Sequence, residues 1–259
     1  MMAQTYWERI AQTRWGRYIA AQESRTIHQA ADLAQGPARA LDIGCDGGRW
    51  AQVLVRQGWS VTCTDVREEA LQLCSERVPG ARCLRVEPDA AVLPVGDSSV
   101  SLVVCLEVTE VVQSAWFPGD AGRVLTPGGM LVVNTWNRVS ARGAAVAAAS
   151  RIRGRGPHPY YRLSYAHWRR RLRAAGFDLR SEQGMCWFPF GRASDSPLVP
   201  AAARLERGLG LHRLPAVSPW ILVAAAWHGA GAGQAGRAGA GAADGERMGT
   251  ARLDGRFSH

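Results

Sequence analysis

A glycine-rich turn between a buried strand and a helix is the feature that most constrains the fold of this chain. The apolar run 38–43 predicts a buried strand, residues 44–48 (Gly-Cys-Asp-Gly-Gly) break it, and a helical pattern follows over 50–56. Glycines at such a turn let the backbone approach a ligand closely, and the helix N-terminus offers unpaired N–H groups. The turn therefore predicts a binding site for a polar or anionic ligand.

A second strand places an acid near this turn. Residues 61–65 (Val-Thr-Cys-Thr-Asp) have the pattern of a strand that ends at Asp65, 21 positions after Gly44. In α/β nucleotide-binding proteins an acid at about this distance accepts hydrogen bonds from the ribose hydroxyls. The turn and the acid together predict a nucleoside-containing cofactor.

Strands and helices alternate along most of the chain. Apolar segments predict strands at 39–43, 60–64, 81–86, 100–106, 129–135, 178–188 and 220–227. The patterns between them predict helices at 48–57, 67–77, about 113–125, 165–175 and 199–209. Apolar strands that alternate with helices predict an α/β fold whose parallel sheet is buried on both faces.

Three other segments complete the predicted organisation. Residues 3–35 have a broken apolar stripe that predicts a helical N-terminal region. Residues 137–163 are predicted to form an irregular insertion, and Ser164 caps the helix that follows it. The end of the chain, 229–259, is rich in glycine and alanine. It buries too little apolar surface to offset its chain entropy, so a disordered tail is predicted.

The positive charge of the chain is concentrated in one segment. The net charge is +9 and all basic residues are arginine, with ten arginines and no acid between Arg138 and Arg173. Such a segment suits an acidic or phosphorylated small molecule, a membrane surface or nucleic acid, and a solvated helix face is the simplest alternative.

The cysteines and the apolar segments indicate a cytoplasmic protein. The six cysteines contain no C-x-x-C pair. We therefore expect small buried side chains in a reducing compartment, with neither a disulfide framework nor a metal site. No apolar run approaches the ~20 residues that span a bilayer, and the first residues lack the apolar core of a secretion signal.

Five segments, in this order, resemble the class I S-adenosylmethionine-dependent methyltransferases, and among them the bacterial small-molecule group that includes quinone-biosynthesis enzymes. They are the turn at 41–48, Asp65, the loop 89–94, the fourth strand with its exit at 103–112, and the block 123–129 (Arg-Val-Leu-Thr-Pro-Gly-Gly). The resemblance implies a three-layer, Rossmann-like fold. Its seven-stranded, mostly parallel sheet has the order 3-2-1-4-5-7-6, and the last strand is antiparallel.

The same resemblance implies domains and a cofactor. Residues 1–36 would form a helical lid carrying the aromatic residues Tyr6, Trp7 and Tyr18, and residues 37–228 the methyltransferase domain. The cofactor would be S-adenosyl-L-methionine. Its predicted binding residues are Asp42, Gly44, Cys45, Asp46, Gly48, Asp65, Val66, Asp89, Ala90 and Leu106. Among these, Asp42 and the turn would hold the methionine end, Asp65 the ribose, and Asp89 with Ala90 the adenine.

Two positions depart from the family pattern. Asp46 stands where the family usually has glycine. Asp tolerates a left-handed backbone better than most residues, but its charge would attract the cofactor's ammonium and oppose its carboxylate. Residues 107–112 read Glu-Val-Thr-Glu-Val-Val, and related enzymes often have a histidine in place of Val111. That histidine cannot serve as the base in this chain.

The chemistry of a sulfonium donor limits what the protein must supply. Methyl transfer is a direct displacement, so alignment of nucleophile, methyl and sulfur supplies much of the catalysis. A general base is needed only where the nucleophile carries a proton that must leave. The predicted catalytic residues are His158, His167 and Glu107, and the predicted substrate-pocket residues are Tyr160, Tyr161 and Trp136. The leading interpretation is methylation of a small molecule, with oxygen as the first candidate for the methylated atom and nitrogen or carbon as alternatives.

A nucleic-acid methyltransferase and a degenerate, non-catalytic cofactor-binding protein are the alternatives. The arginine segment favours the first, but the exit of the fourth strand lacks the Asp/Asn-Pro-Pro-Tyr/Phe sequence that resembles base-amine methyltransferases. Asp46 and the missing histidine favour the second. A nicotinamide-dependent dehydrogenase is disfavoured because the turn lacks the G-x-G-x-x-G spacing.

Overall fold

The computed structural model describes residues 5–156 and 158–229, which fold around one seven-stranded sheet. Its strands are β1 (Arg39–Ile43), β2 (Ser60–Asp65), β3 (Arg82–Arg85), β4 (Val100–Cys105), β5 (Leu125–Trp136), β6 (Phe177–Met185) and β7 (Trp220–Trp227). The strand order is β3-β2-β1-β4-β5-β7-β6, and β7 runs antiparallel to both of its neighbours. The predicted sheet order and the antiparallel last strand are confirmed.

Helices cover both faces of this sheet. They are α1 (Tyr6–Gln12), α2 (Arg14–Leu33), α3 (Arg49–Arg56), α4 (Glu68–Arg77), α5 (Thr109–Gln113), α6 (Phe117–Val124), α7 (Ala141–Ile152), α8 (Tyr165–Ala174) and α9 (Val199–Gly208). Along β4, Leu102 and Val104 pack in the core beneath α2 and α3, whereas Val103 packs in the core beneath α6 and α8. Alternate side chains thus enter two separate cores, which gives the three-layer architecture.

The N-terminal region is two helices rather than one. Thr13 interrupts the predicted helix, because its extended backbone ends α1 and begins α2. The Thr13 hydroxyl accepts a hydrogen bond from the Gly16 N–H (3.0 Å) and donates one to the Ile10 carbonyl (2.7 Å). A single threonine therefore caps the end of α1 and the start of α2.

The insertion 137–163 is not wholly irregular, and in this respect the sequence prediction was wrong. It contains α7, which begins after Ser140, whose hydroxyl accepts a hydrogen bond from the Gly143 N–H (3.0 Å). Alanine is the best helix former, so the alanine-rich sequence needs no apolar stripe to become helical. Gly143 is the one buried residue of α7, which explains why the hydrophobic pattern gave no helix signal.

The remaining boundaries differ by a few residues. β5 begins at Leu125, four residues earlier than predicted, because Leu125 already pairs with Val100 of β4. An irregularity separates this pair from the regular pairing that begins at Leu102 and Met130. Among the described residues, no helix has the length and apolar character needed to cross a membrane. The predicted tail lies outside the described residues after Gly229.

Candidate active site

A cavity of about 330 Å³ lies at the carboxyl ends of β1, β2 and β4. The loop after β1, the end of β2 with residues 65–67, the segment after β4, and Trp7 and Glu8 of α1 form its walls. Ligands of open α/β sheets bind in this crevice, and the volume is within the range of small-molecule sites. The helix α1 therefore forms part of the wall of this cavity.

The loop after β1 has the backbone that the glycine-rich turn predicts. Gly44, Asp46 and Gly48 all have left-handed φ angles, of 68°, 49° and 80°. A Cβ atom at Gly44 would lie 2.3 Å from Val108 Cγ2, so only glycine permits this contact between the loop and the segment after β4. The expectation that aspartate tolerates the left-handed turn at position 46 is confirmed.

Asp65 is held rigidly beside this loop. Its Oδ2 accepts a hydrogen bond from the Asp46 N–H (3.1 Å), and its Oδ1 accepts one from the Arg67 N–H (3.0 Å). A carboxylate offers about four acceptor positions, so both oxygens keep the capacity to accept a further hydrogen bond. The Asp65 carboxylate therefore offers hydrogen-bond acceptor positions in the wall of the cavity.

Arg67 also neutralises the charge at position 46. Its Nη2 lies 2.7 Å from Asp46 Oδ1, and its Nε lies 3.4 Å from Asp65 Oδ1. Burial alone would lower the pKa of the Arg67 guanidinium, but the hydrogen bond and charge of Asp46 and the charge of Asp65 raise it. The ion pair weakens the repulsion that Asp46 would otherwise exert on an anionic ligand group.

Asp42 lies on β1 next to the cavity rather than in its wall. Its side chain is buried, and no hydrogen-bond donor in the described part of the chain reaches its Oδ2 atom. Burial raises the pKa of the Asp42 carboxyl to about 7, and the nearby Cys74 thiol adds to this shift while Arg49 opposes it. A buried carboxyl oxygen without a partner is costly and needs a structural or ligand-related reason.

Glu107, two residues after the end of β4, has a strained backbone and a carboxyl group with a shifted pKa. Its φ is 63°, its N–H donates to Asn134 Oδ1 (2.8 Å), and Asn134 Nδ2 donates to Glu107 Oε1. Burial raises the pKa of Glu107 to about 8, and the negative charge of Glu23 adds to the shift. Strained residues with perturbed pKa values concentrate at functional sites.

Next to Glu107 lies a group of three aromatic rings, Trp7, Trp136 and Tyr160, which we name the aromatic cage. The guanidinium carbon of Arg192 lies 5.3, 5.0 and 4.5 Å from these three ring centroids, respectively. Arg192 Nη2 is 3.9 Å from Glu107 Oε2, and no acceptor among the described residues hydrogen-bonds to this nitrogen. The cage therefore joins the cavity at Glu107 and carries a cation that can accept another partner.

The structure brings together seven of the predicted site residues in the wall of the cavity. They are Gly44, Cys45, Asp46, Asp65, Val66, Leu106 and Glu107. Asp42 and Gly48 belong to the same loop region, and Trp136 and Tyr160 belong to the cage. Tyr161 is buried and packs edge-on against Trp136, with 5.5 Å between ring centroids.

The other four predicted site residues are also absent from the cavity wall. Asp89 is exposed and Ala90 is partly buried in the loop after β3. His167 is exposed on α8, where its N–H donates to the capping Ser164 hydroxyl. His158 caps a short 3₁₀ turn, and its Nδ1 accepts a hydrogen bond from the Tyr160 N–H (3.3 Å), which holds the ring 5.3 Å from the Tyr160 ring.

Sequence reasoning missed Asn134 and Arg192. Asn134 had a detectable signal, because it is a polar residue near the carboxyl end of an otherwise apolar strand, facing the crevice side of the sheet. Arg192 had none, since it lies in a loop without periodicity and reaches Glu107 only through the tertiary fold.

Comparisons with known proteins agree with this geometry. A family model described as a methyltransferase domain matches residues 10–182. The ubiquinone biosynthesis O-methyltransferase of Xylella fastidiosa is 32% identical over 167 residues, covering 59% of this chain and 66% of that protein. The chain thus spans just under two thirds of that relative's length. The protein of the same name from Xanthomonas oryzae pv. oryzae is 32% identical over 181 residues, covering 64% of this chain and 73% of that one.

A solved structure supports the fold independently. The crystal structure of an S-adenosylmethionine-dependent methyltransferase from Mesorhizobium loti aligns with a TM-score of 0.56 and 20% identity, covering 81% of this chain and 99% of that one. With the sheet order, the glycine-rich loop and the matched family model, this likeness leads to one assignment. The chain belongs to the class I S-adenosylmethionine-dependent methyltransferases.

Proposed function

We propose that the protein transfers the methyl group of S-adenosyl-L-methionine to an oxygen atom of a small aromatic acceptor that carries an acidic group. The observation that carries the proposal is the junction of the cavity with the aromatic cage, where Glu107 and Arg192 meet. The curated relatives at 32% identity are named as O-methyltransferases, which supports oxygen as the nucleophile.

The cofactor would be held by the loop after β1 and by three carboxylates. When bound, S-adenosylmethionine supplies a methyl group already activated by its sulfonium. Asp65 would accept hydrogen bonds from the ribose hydroxyls. The Oδ2 atom of Asp42 has no hydrogen-bond partner in the described part of the chain, which supports a role for Asp42, together with the loop, in binding the ammonium group of the cofactor. The predicted adenine contacts, Asp89 and Ala90, follow Val86, which belongs to the cavity wall.

Glu107 is the residue we assign as general base. Its carboxylate lies in the cavity wall, and its pKa of about 8 makes it a stronger base than an exposed glutamate. A base of this strength is well matched to a phenolic or enolic hydroxyl. Asn134 holds the Glu107 backbone and one carboxyl oxygen, so the second oxygen is left to accept the acceptor's proton.

Arg192 and the aromatic cage would bind the acceptor. The three rings offer flat apolar surfaces for an aromatic acceptor, and the Nη2 of Arg192 offers a charged donor for its acidic group. Among the described residues, the nearest acidic group to this nitrogen is that of Glu107, at 3.9 Å. An acidic acceptor can therefore bind the Arg192 guanidinium without breaking a close ion pair.

The test combines calorimetry with a methyl-transfer assay over a panel of phenols with and without a carboxylate. Wild type should bind S-adenosylmethionine, and Asp65→Ala should weaken binding by at least about tenfold, because two hydrogen bonds to a charged group are lost. The exposed Asp32→Ala is the matched control and should leave the affinity unchanged. Failure of the wild type to bind the cofactor would contradict the proposal.

The acceptor part has its own variant. Arg192→Met should raise KM for carboxylate-bearing phenols about tenfold and leave KM for uncharged phenols nearly unchanged, because only the former use the guanidinium. Arg213→Met, at an exposed arginine, is the control. An equal change for both acceptor classes would show that Arg192 does not recognise the acidic group. Cofactor binding without turnover on any acceptor would support the non-catalytic alternative instead.

The arginine segment gives less support to a nucleic-acid substrate. Three of its members bind other parts of the protein: Arg142 donates to the Phe188 carbonyl, Arg169 pairs with Glu182 (3.1 Å), and Arg171 donates to the Gln113 carbonyl (3.1 Å). Salt-sensitive retention of RNA or DNA by the wild type would favour that alternative. We also propose a cytoplasmic location, which the six free cysteines support.

A further inference from the structure

Four cysteines from four separate elements meet behind the cofactor loop. Cys45 belongs to the loop after β1, Cys63 to β2, Cys74 to α4 and Cys83 to β3. The sulfur atoms of Cys45, Cys63 and Cys74 all lie within 4.8 Å of one another, and these three side chains are buried. Cys83 is the register partner of Cys63 in the neighbouring strand, and its thiol interacts with those of Cys74 and Cys63.

The spacing of these sulfurs is close to that of a metal site. Zinc binds thiolates at about 2.3 Å, so two sulfurs of a tetrahedral site are about 3.8 Å apart. The separations of up to 4.8 Å among the sulfurs of Cys45, Cys63 and Cys74 would have to shorten by at most about 1 Å, which small rotations of their side chains supply. Cys83, opposite Cys63 on the neighbouring strand, would turn its sulfur toward these three as the fourth ligand. The six cysteines are free thiols in the described structure, so no disulfide competes for these donors.

We propose that Cys45, Cys63, Cys74 and Cys83 form a closed thiolate site for one zinc ion. On binding, Zn²⁺ replaces the thiol protons, which pass to solvent, and four Zn–S bonds form without a change of oxidation state. With all four positions filled by sulfur, the ion has no open position and its role is structural.

The surroundings of the cluster provide an entry path and a compensating charge. Cys83 is only partly buried, so the ion can enter from the β3 side. The positive charge of Arg77 acts on the Cys74 thiol, and the same guanidinium binds Glu8 of the lid and approaches the Gly47 carbonyl (3.5 Å). A cation near a thiolate cluster offsets part of its negative charge.

The site would stiffen the cofactor loop from behind. Cys45 is also part of the cavity wall, and a Cβ atom at Gly48 would lie 2.7 Å from the Cys74 sulfur, so the cluster and the loop are in direct contact. A bound ion would tie this loop to β2, β3 and α4. We therefore expect metal loading to stabilise the fold and to leave the chemistry of the cavity unchanged.

The experiment uses the full chain, reduced, stripped with a chelator and then titrated with Zn²⁺ against a chromophoric chelator. We expect one equivalent to bind, and Co²⁺ in its place should give the thiolate-to-metal charge-transfer absorption of a tetrahedral sulfur site. Loading should raise the midpoint of thermal unfolding by at least about 5 °C. Zn²⁺ should also protect the four cluster thiols from alkylation, as mapped by mass spectrometry.

Variants locate the site. Cys63→Ala and Cys74→Ala should lose the stoichiometric binding and the charge-transfer band, whereas Cys105→Ala, at a buried thiol outside the cluster, should keep both. The alkylation map of the wild type needs no variant, so misfolding of a variant does not remove the test. Absence of tight binding, binding that survives both cluster variants, or a cluster disulfide without metal binding after reduction would each overturn the proposal.

Discussion

Replacing Glu107 by glutamine should make the protein more stable and less active at the same time. The side chain of Glu107 is 8% exposed, and burial raises its pKa from 4.5 to about 8. Between these two pH values the folded chain binds more protons than the unfolded chain. The free energy of unfolding contributed by this group is therefore fully present below about pH 4.5 and falls by about 1.4 kcal/mol per pH unit up to about pH 8.

The magnitude follows from the width of this pH window. At pH 7 the wild type has lost about 3 kcal/mol of stability, because Glu107 ionises in the unfolded chain but stays mostly protonated in the folded one, and glutamine, which is neutral in both states, avoids this loss. Glu107→Gln should thus be about 3 kcal/mol more stable than wild type at pH 7 and nearly equal to it at pH 4.5. Since glutamine cannot accept a proton, kcat should fall by about 10²-fold or more with a phenolic acceptor.

Urea unfolding followed by circular dichroism at about pH 4.5, 6, 7 and 8 measures the stability, and initial rates of methyl transfer measure the activity. Glu69→Gln, at an exposed glutamate of α4, is the matched control and should change neither quantity. If wild type and Glu107→Gln kept the same stability difference at every pH, the carboxyl would have an ordinary pKa and the assignment of a raised basicity would be refuted.

Three further changes test the loop and the tail. Gly44→Ala should weaken cofactor binding at least about tenfold and lower stability by about 1–3 kcal/mol, because the new Cβ would meet Val108 at 2.3 Å and the left-handed backbone disfavours alanine; an unchanged affinity measured by calorimetry would contradict this. Asp46→Gly should keep the turn and the fold while it removes the ion pair between Arg67 and position 46. A loss of structure in the circular dichroism spectrum of this variant would contradict the prediction. Deletion of 230–259 should leave the cofactor affinity unchanged, and a clear loss in the same calorimetric measurement would show that the tail contributes to the site.

Much of the architecture was accessible from the sequence, because it follows from local patterns. β1 and β7 have the predicted bounds, since both are short apolar runs between polar or glycine-containing turns. The strand order came from the family resemblance. The α7 helix and the break at Thr13 were missed for a physical reason, because alanine propensity and a threonine cap leave little trace in a hydrophobic pattern.

The positions of the glycine-rich loop and of Asp65 were also predictable, whereas their roles toward the cofactor remain predictions. The glycine-rich loop and Asp65 lie at fixed positions around two consecutive strands, and a βαβ unit brings such positions together whatever the rest of the chain does. The adenine contacts are less local: Asp89 lies in a loop whose course depends on neighbouring segments, and it is exposed in the structure. Its role remains a prediction.

By itself, then, the sequence determined the α/β alternation, the loop after β1 and the acid at the end of β2. In a βαβ unit the two parallel strands and the helix between them pack in one arrangement, which fixes where the loop and the acid lie relative to each other. Only the tertiary structure decided that Arg192 enters the aromatic cage beside Glu107, and that the sulfurs of Cys45, Cys63 and Cys74, which have no metal-binding spacing in the sequence, lie within 4.8 Å of one another. Such groupings depend on how distant segments pack across the sheet, and burial there changes the pKa of a carboxyl group or the neighbours of a thiol in ways that no local pattern contains.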